Sequence, residues 1–145
     1  MVRQLLVVAT SLVLVGACAK PLTAADMPRP KAGLWKWVDA VDGVAVNTGQ
    51  TCLGGKPVHI LGPACPAITY ARTTDGVFET ENRCPQGAGG YSDFKDRFSG
   101  DFHASYIMDQ SGILALPGKP LSVRTSRVTY TFVGLCPAGL TPDED

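Results

Sequence analysis

Residues 65–84 read CPAITYARTTDGVFETENRC, and this stretch decides the fold. Two runs rich in Thr, Ile, Tyr, Val and Phe, Ala67 to Thr73 and Val77 to Arg83, flank Thr74-Asp75-Gly76, with a cysteine just outside each run. β-Branched and aromatic side chains suit a pleated surface, and glycine accepts the positive φ that a tight hairpin turn requires. The segment therefore predicts an antiparallel hairpin. A loop at Thr74-Asp75 puts Cys65 directly opposite Cys84, and a loop at Asp75-Gly76 puts them one diagonal step apart on the same face. A disulfide needs its Cα atoms within roughly 7 Å, so the first register, or a small bulge, favours a Cys65–Cys84 bridge. The remaining pair is then Cys52–Cys136, tying an early strand to the last. Zinc is the competing use of four cysteines, but the spacings of 13, 19 and 52 between Cys52, Cys65, Cys84 and Cys136 contain none of the close couplets that structural zinc sites use. No metal site is expected.

Upstream, Gly33 to Val41 and Val44 to Cys52 flank Asp42-Gly43, a second strong hairpin signal. A two-residue loop there puts Trp35, Trp37, Val41, Val44, Val46 and Thr48 on one face, the expected core face, with Lys36, Asn47 and Thr51 on the other. Residues 53–64 include Gly54, Gly55, Pro57, Gly62 and Pro63 and read as a long irregular connection. Downstream, Tyr91 to Phe98 and Phe102 to Met108 predict a hairpin about Ser99-Gly100, followed by a turn at Asp109-Gln110-Ser111-Gly112, a short strand Ile113 to Leu116, the Pro117-Gly118-Lys119-Pro120 break, and a last strand within Leu121 to Leu135. Glycine and proline interrupt every candidate helix in this region. The expected fold is all-β: an antiparallel meander of seven or eight strands forming a strongly curved sheet or small barrel, stapled by disulfides.

The N-terminus carries an address. Residues 1–18 read as a signal peptide, with Arg3 before an apolar run from Leu5 to Gly16 that is short for a membrane span. Its end has two readings. Val15-Gly16-Ala17-Cys18 resembles a bacterial lipobox, which makes Cys18 the lipidation site, and Ala17-Cys18-Ala19 also fits ordinary signal cleavage. The first implies an outer-membrane lipoprotein facing the periplasm, attached to the membrane only through its lipid; the second implies a soluble periplasmic protein. Either way Cys18 leaves the folding inventory, and four of the five cysteines remain for bridges. Residues 19–32, with three prolines, read as an extended tether, 33–137 as a single β domain, and 138–145 as an acidic tail.

Charge narrows the partners. Thirteen basic residues balance 13 acidic ones, and loss of Arg3 with the leader leaves the mature chain almost neutral. No basic patch of the kind nucleic acid requires is present, so no nucleic-acid partner is expected. Histidine is scarce. The sharpest catalytic constellation is Ser105-His103-Asp96 across a hairpin, but residues two apart on a strand lie roughly 6–7 Å apart and no oxyanion-hole motif accompanies them. The chain is read as non-enzymatic, with no catalytic residues and no cofactor. Trp35, Trp37 and Phe78 are the aromatic side chains that either fill the core or line a ligand cavity.

At Gly33-Leu34-Trp35, Gln50-Thr51-Cys52, Cys65, Cys84, Phe98-Ser99-Gly100 and Gly134-Leu135-Cys136 the chain resembles a family of small exported Gram-negative bacterial proteins, catalogued as a domain of unknown function (number three-six-one-seven). The likeness spans nearly all of the mature chain, although Lys31-Ala32 stand where members often have proline. It implies an exported β-rich domain and supplies no activity. The functional expectation is a non-enzymatic envelope protein, structural or partner-binding, with an unknown envelope protein as partner. The alternative is a small binder: a lipocalin-like carrier of an apolar ligand, or an inhibitor of a wall-degrading enzyme.

Overall fold

A computed structural model describes residues 21–58, 67–140 and 142. Seven antiparallel strands form one sheet: β1 (Gly33–Val41), β2 (Val44–Leu53), β3 (Ala67–Arg72), β4 (Phe78–Gln86), β5 (Gly90–Gly100), β6 (Ser105–Ala115) and β7 (Ser122–Gly134). Their spatial order is β2-β1-β7-β6-β5-β4-β3. Each hairpin pairs with its sequence neighbour, and β1 docks on β7, so the order is the chain order with one cut between β2 and β3. A ladder between those two strands would close a barrel. Among the described residues no such ladder forms and the sheet is open there, which corrects the small-barrel alternative. The physical reason lies in Gly54, Gly55 and Pro57, which follow β2 and do not continue its ladder.

The strand count settles at seven because β6 runs unbroken through Asp109-Gln110-Ser111-Gly112, where a turn was expected. Gly112 sits there because Phe94 on β5 crosses it: a Cβ at Gly112 would lie 2.5 Å from Phe94 Cδ1. The glycine admits a neighbouring ring and does not end the strand. The β5–β6 turn falls at 101–104, after Ser99-Gly100. Asp101 Oδ1 accepts the backbone N–H groups of His103, Ala104 and Ser105 at 2.8, 2.7 and 3.0 Å. Phe102 takes a positive φ of 57° in this turn and is buried in the core. In the β3–β4 hairpin, Thr73 and Val77 close a three-residue turn, a register between the two alternatives read from sequence.

The β1–β2 hairpin turns at Asp42-Gly43 as expected, but its register shifts by one between Asp39 and Ala40. That bulge exchanges the faces of β2. Trp35 and Trp37 oppose Thr51 and Gly49, and the expected core residues Val44, Val46 and Thr48 are exposed. The sheet curves toward the tryptophan face: Trp35 on β1 meets Tyr106 on β6 edge-on at 5.3 Å between centroids, although β7 runs between them.

One disulfide is found among the described residues, Cys52–Cys136, with Cα atoms 5.7 Å apart. It closes a loop of 84 residues, worth about 4.5 kcal/mol by the chain-entropy relation. Cys65, and with it the Cys65–Cys84 bridge, lies outside the described residues, as do the signal peptide, Cys18 and the acidic residues Asp143, Glu144 and Asp145 of the tail. The stretch read as a tether is partly folded in. Met27 is 2% exposed and belongs to the core cluster, Lys31 N–H donates to the Phe102 carbonyl at 2.8 Å, and Val58 N–H donates to the Pro28 carbonyl at 2.8 Å. Among the described residues no helix is long and apolar enough to cross a membrane.

Candidate functional site

Strand alternation sends every second residue to the concave face, and that face divides along its length. Toward the N-terminal end of β1 it is aromatic. Trp35 is wholly buried, its indole N–H donating to the Lys31 carbonyl at 2.8 Å. It stands edge-on to Tyr106 and Phe132, and Tyr106 stacks on Tyr130 with centroids 4.4 Å apart. Such pairs contribute roughly 0.5–1.5 kcal/mol beyond the area they bury. Gly33, which opens the GLW motif, is required here. Its φ is +143°, and a Cβ would lie 2.3 Å from the Gly134 carbonyl oxygen and 2.7 Å from the Phe132 ring.

Beside this cluster lies a half-open cleft of about 360 Å³. Its floor is Trp37, Phe98, Tyr106, Met108 and Tyr130, and its far wall is Leu53 to Val58 together with Pro30. Trp37 can lie flat against β2 because its cross-strand partner is Gly49, where a Cβ would be 2.6 Å from the indole. The three aromatic candidates thus separate. Trp35 is core. Trp37 lines the cleft. Phe78 packs at the margin of the core, edge-on to Phe102 at 6.5 Å with the Arg72 guanidinium 5.0 Å above its ring, and takes no part in the cleft.

The other half of the concave face is polar, with Thr80, Asn82, Ser92, Asp96 and Ser126 buried. Asp96 is 0% exposed, and neither carboxylate oxygen has a hydrogen-bond partner among the described residues; the same holds for Thr80 Oγ1. Burial pushes the Asp96 carboxyl up to about 6, and its cross-strand neighbours Gln110 and Thr80 offset part of that rise. Native proteins pair almost all buried polar groups, so this carboxylate is the least satisfied charge described in the molecule. Sequence reading placed Asp96 only as a partner for His103. The missed signal is its position between Phe94 and Phe98 on the apolar period of β5.

The convex face carries most of the paired charges. Arg83 meets Asp93 at 2.6 Å, Lys95 meets Glu79 and Glu81 at 3.1 Å each, and Arg127 meets Asp109 at 2.6 Å, all at least partly exposed and each worth little. The Ser105-His103-Asp96 constellation does not assemble: Asp96 is buried on β5, and His103 sits exposed in the 101–104 turn. No group of three or more metal-ligating side chains occurs among the described residues.

No family model, no curated protein and no solved structure matches this chain. The cleft and the carboxylate beside it are therefore read on their own chemistry.

Proposed function

We propose that this protein is a non-enzymatic binding module of the cell envelope that takes a small apolar ligand into the cleft between the concave aromatic face and the segment from Leu53 to Val58. The supporting observation is the cleft itself. Its volume of about 360 Å³ lies within the range typical of ligand pockets, and five ring or thioether side chains from four strands form its floor. Cys52–Cys136 is compatible with the exported location that the leader and the family resemblance imply. A Cys65–Cys84 bridge and a lipid on Cys18 belong to the same proposal. Intact mass of the protein from native membranes tests them together: a lipid adduct on Cys18 with four hydrogens missing supports both, and an unlipidated chain with four free thiols refutes both.

The ligand reading is tested by titrating the mature chain with the neutral apolar dye N-phenyl-1-naphthylamine. Saturable binding that Trp37→Ala weakens at least about tenfold, a loss of roughly 1.4 kcal/mol, is the expected result. Absence of saturable binding by the folded protein contradicts it. A protein partner is the second reading, favoured by Val44 and Val46, which are 66% and 49% exposed on β2, whose outer edge meets no strand among the described residues.

A further inference from the structure

We propose that Asp96 makes the cleft selective for cationic ligands, namely an organic ammonium group on an apolar body, held against the rings of Trp37, Tyr106 and Tyr130 with the Asp96 carboxylate as its buried counter-charge. This rests on the reading of the cleft as a binding site and adds the class of ligand.

Three observations carry it. First, the cleft floor is built from indole and phenol rings, whose faces attract a cation, most strongly when it is desolvated. Second, Asp96 lies two residues from Phe98 on the same face of β5, and Phe98 and its cross-strand partner Met108 both line the cleft. That spacing is roughly 6–7 Å, so the carboxylate acts on a bound charge through dry protein without touching it. Third, the carboxylate is fully buried with neither oxygen in a hydrogen bond of good geometry, and Gln110 and Thr80 offset only part of the cost of burying it, so a cation in the cleft supplies the rest.

The other charges near this face do not reverse the sign. On β4 and β6 the residues directly flanking Asp96 are Thr80 and Gln110, both uncharged. Across the face, Arg124 on β7 is engaged by Asp39 on β1 at 3.7 Å. Lys56 at the cleft mouth and Arg72 on β3 are exposed, and solvent and salt screen them over about 8–10 Å. Burial holds the Asp96 carboxyl near 6. The counter-charge is therefore present at neutral pH and fades as pH falls below that value.

The test is to titrate the mature chain with octyltrimethylammonium, octanol and octanoate by calorimetry at pH 7.5. The expected order is ammonium tighter than octanol by about tenfold, with octanoate weakest. The ammonium affinity should also fall between pH 7.5 and 5, while in Asp96→Asn the ammonium and octanol affinities converge and lose that pH dependence. Equal affinities for all three ligands, strongest binding of octanoate, or selectivity unchanged in Asp96→Asn would each overturn the proposal while leaving the cleft a binding site. Failure of all three ligands to bind would overturn both readings. Should Asp96→Asn not fold, the wild-type pH profile decides: an ammonium affinity flat from pH 7.5 to 5 contradicts the proposal.

Discussion

The two halves of the concave face share β5 and β7, one aromatic and one polar, and they differ in whether every buried group is satisfied. In the aromatic half, Trp35 has no exposed surface, and its one polar atom donates to the Lys31 carbonyl. In the polar half, two residues away along β5 from the buried Phe98, Asp96 is equally inaccessible and its carboxylate has no partner among the described residues. The first half behaves as a folding core, where removal of any group costs stability. The second keeps a destabilising charge two residues from Phe98, which lines the cleft, and this is the ground for the proposed counter-charge role.

Substitutions sharpen this contrast. Trp35→Ala should be the most damaging, destabilising by about 4 kcal/mol in urea unfolding, because it leaves a cavity beneath Tyr106 and Phe132 and strips their edge contacts. Asp96→Asn should move stability the other way. The folded protein holds this carboxyl near 6, above the ordinary value of 3.8, so folding favours its neutral form. Its destabilising effect is absent below about pH 3.8, grows as pH rises through 6, and is complete above. The variant should therefore be more stable than wild type at pH 7.5, by on the order of 2 kcal/mol, and the gain should shrink toward zero near pH 4 in parallel melts. A wild-type advantage at pH 7.5 would mean that the carboxylate is satisfied after all.

Smaller effects mark the boundary between the halves. Gly49→Ala places a methyl group where the Trp37 indole lies and should cost about 1–2 kcal/mol, with a shift in tryptophan emission as the ring is displaced into the cleft. Arg83→Ala breaks an exposed pair on the convex face and should leave the melting temperature within error of wild type, whatever its short distance suggests.

Much of this architecture was legible because turn chemistry is local. Asp42-Gly43, Thr74-Asp75-Gly76 and Pro117-Gly118-Lys119-Pro120 each mark a chain reversal, and the Cys52–Cys136 pairing was the one left once Cys65 was assigned to Cys84. What escaped was set by neighbours across the sheet. The bulge at Asp39/Ala40 exchanged the faces of β2 with no glycine or proline to announce it. Gly112 read as a turn residue because the ring that covers it, Phe94, is 18 positions away. Met27 looked like part of a tether because a lone methionine among prolines has no period to reveal burial. Trp35 and Trp37 were recognised together, but their separation into core and cleft depends on Gly49 and on the 53–58 segment. No pattern along β1 encodes it.

The most direct measurement is amide and indole NMR of the mature chain during titration with N-phenyl-1-naphthylamine. The account predicts perturbations concentrated at the Trp37 indole N–H, Phe98, Tyr106, Met108 and Tyr130, with Trp35 and the convex-face residues Arg83 and Asp93 little changed. Perturbations confined to Val44 and Val46 on the β2 edge, or spread over the convex face, would contradict it.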